Sequence, residues 1–204
     1  MSSQSPGSSG SFSAASLAED TQQVKGLVFE TIRIYVIENH GQPQWDRLMY
    51  LLPQRTVDVF EKAEISAWYP ESELRRFVHL AFELLADEDT QKFEELVRKV
   101  AHTVIKRFFK MIPTLASSRF VLRNVPAFFR RIRRGTATLK VEAGEGGEIL
   151  VHYEDFRYCR DRLYRGMALI SCQAAAEAAR GERIEGKVAR WDRSSMTLAF
   201  STGD

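Results

Sequence analysis

Apolar positions recur at helical spacing through the first two thirds of the chain. Leu27, Val28, Ile32, Tyr35 and Val36, followed by Asn39, define one helix, and Gly41 stops it. Trp45, Leu48, Met49 and Leu52 predict a short second helix ending before Pro53. Val57, Phe60 and Ala63 predict another short turn or helix. Pro70 opens a stronger helix. Its early acids Glu71 and Glu73 suit the positive end of the dipole, and Leu74, Phe77, Val78, Ala81, Phe82 and Leu85 form its stripe. Phe93, Leu96, Val97, Val100, Val104 and Phe108 mark the next, with Lys and Arg between them. After Pro113, Phe120, Val121 and Val125, then Phe128, Phe129 and Ile132, predict one or two short helices joined near Pro126.

The period then changes. Thr136, Thr138 and Lys140 alternate with Ala137, Leu139 and Val141. The run AGEGGE follows, and Ile149, Val151 and Tyr153 alternate again, which predicts a hairpin around a Gly-rich turn. Residues 156–179 return to helical spacing, ended by Gly181, and strands over 184–190 and 196–200 close the chain around a polar turn. N-terminal helices followed by hairpin, helix and hairpin predict an α+β fold, with an antiparallel sheet of about four strands packed on the last long helix. Residues 1–22 are rich in Ser and Gly, with too little apolar surface to offset ordering, and read as a disordered tail; residues 23–202 read as a single α+β domain.

Composition narrows the function classes. The chain is 44% hydrophobic and 27% charged with a net charge of +2, ordinary for a soluble globular protein and too weakly basic to imply nucleic acid. No apolar run approaches a membrane span and no secretory signal opens the chain, so a cytoplasmic protein is expected. Cys159 and Cys172 lie on one predicted helical stretch, too far apart along it for a disulfide, and read as free thiols.

Three stretches together resemble a known family. They are Lys25 to Phe29 running on through Glu38-Asn39-His40-Gly41 to Trp45, then Ala67-Trp68-Tyr69-Pro70 leading into a helix, and the order of elements from Phe120 to the end. They are similar to a large myxobacterial paralogous family of chains of about this length and of unknown function. More distantly, the plan resembles heme-nitric-oxide/oxygen-binding domains and the four-vinyl-reductase-type small-molecule-binding domain. The heme-binding relatives hold the heme propionates with a Tyr-x-Ser-x-Arg motif between the first hairpin and the long helix. Here that junction reads Tyr153-Glu154-Asp155-Phe156-Arg157, with Tyr and Arg in register but two carboxylates between them. The relatives also carry a proximal histidine on the helix before the hairpin, and residues 114–135 contain none. The resemblance therefore implies a member of the fold with no heme, and no cofactor is expected.

The remaining chemistry is sparse. His40, His79, His102 and His152 are scattered, without the close spacing of a zinc motif. Cys159, between Arg157 and Arg160 near a predicted helix start, is either a thiol of lowered pKa or a small half-buried apolar residue. No nucleophile elbow, Walker loop or dinucleotide fingerprint is present, so no enzyme is expected. Arg119, Arg123, Arg130, Arg131, Arg133 and Arg134 form a basic stretch without an acid, interleaved with Phe120, Phe128 and Phe129. It reads either as a solvated face or as a docking patch for an acidic partner. Asp155 and Arg157 have two readings as well: helix cap and surface ion pair, or, for Arg157 with Tyr153, anchors for a ligand. The expected function is a non-catalytic regulatory or sensory small-ligand-binding domain in bacterial signalling, with Tyr153 and Arg157 at the ligand. The alternative is an interaction module that docks an acidic partner through Arg130, Arg131, Arg133 and Arg134.

Overall fold

The computed structural model describes residues 21–108, 117–181 and 183–202. The expected tail over residues 1–20 and the neighbourhood of Pro113 lie outside them, but Gln22, counted with that tail, is buried.

A short strand, β1 (Gln23–Lys25), leads into α1 (Gly26–His40). Gly26 is required at this junction. A Cβ there would sit 2.0 Å from the carbonyl oxygen of Glu64, because the returning chain passes close enough for the Gly26 amide to donate to Ala67 at 2.9 Å. Helix α1 ends at Gly41, whose φ of 84° stops it. The next helices are α2 (Gln42–Leu51) and α3 (Gln54–Lys62), divided by Pro53, and they bury Trp45, Leu48 and Phe60 against the α1 ring of Phe29. The Trp-Tyr-Pro segment is not itself a helix start. It forms β2 (Trp68–Pro70), and α4 (Glu71–Leu84) begins directly after it. Trp68 is half-buried, with Lys25 and Arg134 standing over its ring.

The long α5 (Thr90–Phe108) is followed by α6 (Ser118–Arg123), whose Ser117 cap accepts from the Phe120 amide, and by α7 (Val125–Ile132), with Pro126 in its first turn. The chain leaves α7 as β3 (Arg133–Arg134), which pairs antiparallel with β1. With β2 this gives a three-stranded sheet, β2-β1-β3, that the sequence pattern did not predict. The expected hairpins are present as β4 (Thr138–Ala143) with β5 (Ile149–Glu154) and β6 (Glu185–Trp191) with β7 (Met196–Ser201). They form one antiparallel sheet in the order β4-β5-β7-β6. Ile149, Val151 and Tyr153 alternate toward the core beside Met196, Leu198 and Phe200, as period-two patterning requires.

The stretch expected to be helical from residue 156 is divided. A 3-10 turn (Arg157–Arg160) comes first, and the long helix α8 (Arg162–Arg180) starts later. Its cap is Asp161, which accepts from the amides of Leu163 and Tyr164 at 3.0 and 3.4 Å. Asp155, the expected cap, sits at φ 53° before the turn. Cys159 is in the turn and Cys172 in α8; both are buried and free. Helix α8 lays small residues, Ala174, Ala175 and Ala179, against Ala101 and Ile105 of α5. Across that contact Glu177 accepts from Arg98 at 2.6 Å, while the Gln173 amide donates to the Ile184 carbonyl of the following segment at 2.7 Å. No helix among the described residues is long and apolar enough to cross a membrane.

Candidate functional site

The space between the helical layer and the sheet is not completely filled. A cavity of about 140 Å3 is walled by α1, α4 and α5 on one side and by α7, β3, β5 and α8 on the other. Most of its wall is aliphatic or aromatic: Val28 and Ile32, Phe77 and Val78, Val97 and Val104, Phe128 and Phe129, and Met167. Helical periodicity explains this. Each helix presents its apolar stripe inward, and the cavity is where five such stripes meet without closing.

One end is different. Arg133, Tyr153, Ser171 and Cys172 reach the wall there. Arg133 donates from Nε to Glu71 Oε1 at 2.7 Å, and its side chain is 15% exposed against 0% for Glu71. Its guanidinium also lies 5.6 Å from the Phe129 ring, which meets Tyr153 edge-on at 5.8 Å. Burial alone would lower the Arg133 pKa, but the Glu71 carboxylate outweighs it and holds the guanidinium charged. The Tyr153 hydroxyl is 3.6 Å from Cys172 Sγ. Burial above all, with Cys172 adding to it, raises the Tyr153 pKa well above the ordinary range. Burial likewise pushes the Cys172 thiol up to about 11, against the Tyr153 hydrogen bond and the Arg133 charge. Both groups are neutral at pH 7 and stand at the cavity as hydrogen-bonding groups.

No protein-family model matches the sequence, and no curated protein matches it either. Solved structures do match its shape. An H-NOX protein from S. oneidensis in the Fe(II)NO ligation state superposes with a TM-score of 0.64 at 12% identity, covering 88% of this chain and 99% of that one. An Fe(II) unliganded H-NOX protein from K. algicida gives 0.62 at 14% identity, over 88% and 97%. An oxygen-binding H-NOX domain related to soluble guanylate cyclases gives 0.58 at 13%, over 88% and 95%. The fold is that of H-NOX domains. The resemblance read from the order of elements therefore holds at the level of architecture, while identities this low carry no activity across.

The H-NOX fold raises the question of heme, and the residues of this cavity do not fit one. Its volume is close to that of an engineered apolar cavity that accepts benzene, and far below a porphyrin. None of the four histidines lines it. His40 packs on Tyr35 at the end of α1, His79 binds Asp161 at 2.7 Å, His102 lies 3.6 Å from Glu177, and His152 bridges Thr197 and Glu142. Tyrosine and cysteine can also ligate heme iron; Tyr153 and Cys172 face each other at 3.6 Å at the polar end of a cavity of benzene size, which leaves no room for a porphyrin beside them. Among the described residues no group of three His, Cys, Asp or Glu side chains converges as a metal site would require.

The predicted site residues separate. Tyr153 is buried at the cavity, whereas Arg157 is exposed on the 3-10 turn, over the Tyr158 ring at 5.7 Å, and does not line it. The basic stretch separates as well. Arg130 and Arg131 are exposed on α7, and Arg134 is exposed over Trp68 at 4.8 Å. Arg133 is not part of that face, because its partner Glu71 draws it into the core. Cys159, one of whose two readings was a thiol of lowered pKa, is instead pushed up to about 12 by burial first and by Asp192 second, against Arg165. It is a packed residue. Sequence reading missed Arg133, Glu71 and Cys172 as members of one site.

A second, polar groove of about 290 Å3 lies on the outer face of the sheet. There Thr197 Oγ1 accepts from Arg190 Nε at 2.9 Å and lies 3.0 Å from His152 Nδ1, while His152 Nε2 lies 2.9 Å from Glu142. This resembles a carboxylate–histidine–hydroxyl relay. Thr197 is only 5% exposed on a strand paired on both sides, so the chain of bonds ties all four strands of the sheet together rather than presenting a nucleophile.

Proposed function

We propose that this is a non-catalytic sensory domain of bacterial signalling, working in the cytoplasm, that takes a small apolar molecule directly into the central cavity without heme. The observation that carries the reading is the cavity itself, about 140 Å3 of mostly apolar wall, formed where the H-NOX fold leaves room between its helices and its sheet. Tyr153 is the predicted ligand residue that reaches it. Thermal unfolding in benzene-saturated buffer tests the reading. The melting temperature rises in the wild type, because a ligand that binds only the folded state stabilises it. It does not rise in Val97→Phe, whose ring occupies the space. An unchanged wild-type melting temperature defeats the proposal. Titration with hemin should give no stoichiometric Soret band, and a one-to-one band would overturn the heme-free part.

The exposed face of Arg130 and Arg131, with Arg134 and the half-exposed Phe120 near it in sequence, supports a second reading. In it the domain docks an acidic protein partner. Reversing Arg130 and Arg131 would then abolish a salt-sensitive association.

A further inference from the structure

We infer that the ligand of the central cavity is an uncharged molecule with one hydrogen-bond-accepting oxygen, a small carbonyl compound of about benzene size, held at that oxygen by the Tyr153 hydroxyl. This rests on the cavity being a ligand site.

Three observations converge on it. First, the polar end of the cavity has a proton to give and no group that can only accept. Arg133 carries only N–H groups, Ser171 can play either role, and of the two protons on the Tyr153 hydroxyl and the Cys172 thiol the contact between them uses one at most. An acceptor on the ligand complements the remaining proton, whereas a ligand that brings only a donor meets no dedicated acceptor. Second, the Tyr153 hydroxyl is poorly matched. A buried Tyr hydroxyl normally finds a strong partner. At 4% exposure the Tyr153 hydroxyl meets the Cys172 thiol at 3.6 Å, and sulfur is a weak acceptor. A carbonyl oxygen would be a better one. Third, the charge at this end is already balanced. Arg133 is neutralised by Glu71 at 2.7 Å, so a carboxylate entering the cavity would face a pair with no net charge and would lose its hydration without a counter-ion. An anion is disfavoured and a neutral oxygen is favoured.

Four ligands of one ring size separate the possibilities: benzene, benzaldehyde, phenol and benzoate. Affinities are measured at pH 7 on the full chain by calorimetry, and occupancy is checked by the NMR shift of the Met167 methyl, which lines the cavity. Benzaldehyde should bind about tenfold more tightly than benzene, the worth of one net hydrogen bond, with phenol between them and benzoate weakest. In Tyr153→Phe, which deletes only the hydroxyl, the preference for benzaldehyde over benzene should fall to about one while benzene still binds. Equal binding of benzene and benzaldehyde by the wild type overturns the inference and leaves the cavity reading standing. A preference for benzoate overturns its neutrality. A preference that survives Tyr153→Phe removes Tyr153 from it. If none of the four moves the Met167 methyl, the cavity is not a ligand site and both proposals fall. The wild-type ratio decides the ligand class even if Tyr153→Phe folds poorly.

Discussion

Arg133→Met should be among the most damaging single changes in this domain, although Arg133 sits in a run of arginines. Methionine keeps an unbranched stem and removes the charge. Glu71 is then a carboxylate at 0% exposure without the guanidinium that now lies 2.7 Å from it. Breaking a buried ion pair from one side costs about 3–5 kcal/mol, because the remaining charge is uncompensated. Glu71 opens α4, where the positive end of the helix dipole offsets roughly 0.5–1 kcal/mol of that. The expected loss is therefore about 3 kcal/mol, a large share of the ~5–15 kcal/mol that holds a domain together. Urea unfolding at pH 7, followed by circular dichroism and by fluorescence of the three tryptophans, measures it. The double variant Arg133→Met with Glu71→Gln should be at least ~2 kcal/mol more stable than the sum of the single losses implies. Reversal of Arg130 or Arg131 to Glu, on the exposed face, should cost no more than about 0.5 kcal/mol. An Arg133→Met loss below ~1 kcal/mol, on the scale of a surface site, would refute the buried pair.

Further outcomes follow from the same packing. Burial tends to raise the pKa of Asp161, but the His79 and Arg75 contacts outweigh it and hold the carboxyl below its ordinary value. A depressed folded pKa gives stability that is present above the unfolded value, about pH 3.9, and is lost as pH falls through the lower folded one. Asp161→Asn, which retains the capping ability, should flatten that acid limb in urea titrations, and an identical limb would show that Asp161 does not contribute. Cys159 and Cys172, raised to about 12 and about 11, should resist alkylation by iodoacetamide at pH 8 until urea unfolds the chain; rapid labelling of the native protein would contradict their burial. Gly26→Ala drives a methyl to 2.0 Å from the Glu64 oxygen and should cost about 1–3 kcal/mol in the same urea assay. A neutral result would mean that the returning chain moves freely away.

Much of the fold was legible because its signals are local. The stripes of α1, α4 and α5, the Gly-rich hairpin turn and the period-two strands each appear within a dozen residues. What escaped depends on pairing between distant segments. Trp68 to Pro70 carries no alternation that distinguishes a strand of three residues from a helix start; it becomes β2 because β1 lies beside it. The helix expected from residue 156 starts after Asp161 because Asp161 is held by Arg75 and His79, more than eighty positions earlier. An apolar stripe also reads the same whether it packs fully or leaves a cavity, so the site could be anticipated only through Tyr153.

The arginine run shows why composition could not find the polar end of that site. Arg130, Arg131, Arg133 and Arg134 are chemically equivalent as a list, and a docking face is the natural reading of them. The helix ends at Ile132, however, and the next two residues pair with Val24 and Gln23. On a strand, consecutive side chains must point to opposite faces. Two adjacent arginines therefore cannot share one environment: if one reaches solvent, the other is turned toward the interior. Arg134 goes outward to Trp68 and Gln23, and Arg133 goes inward to a carboxylate that opens another helix. An inward guanidinium is tolerable only with that partner, so the choice of face depended on Glu71, sixty-two positions away. The same alternation puts a fixed donor at the cavity wall beside Tyr153, where recognition of a neutral oxygen becomes possible.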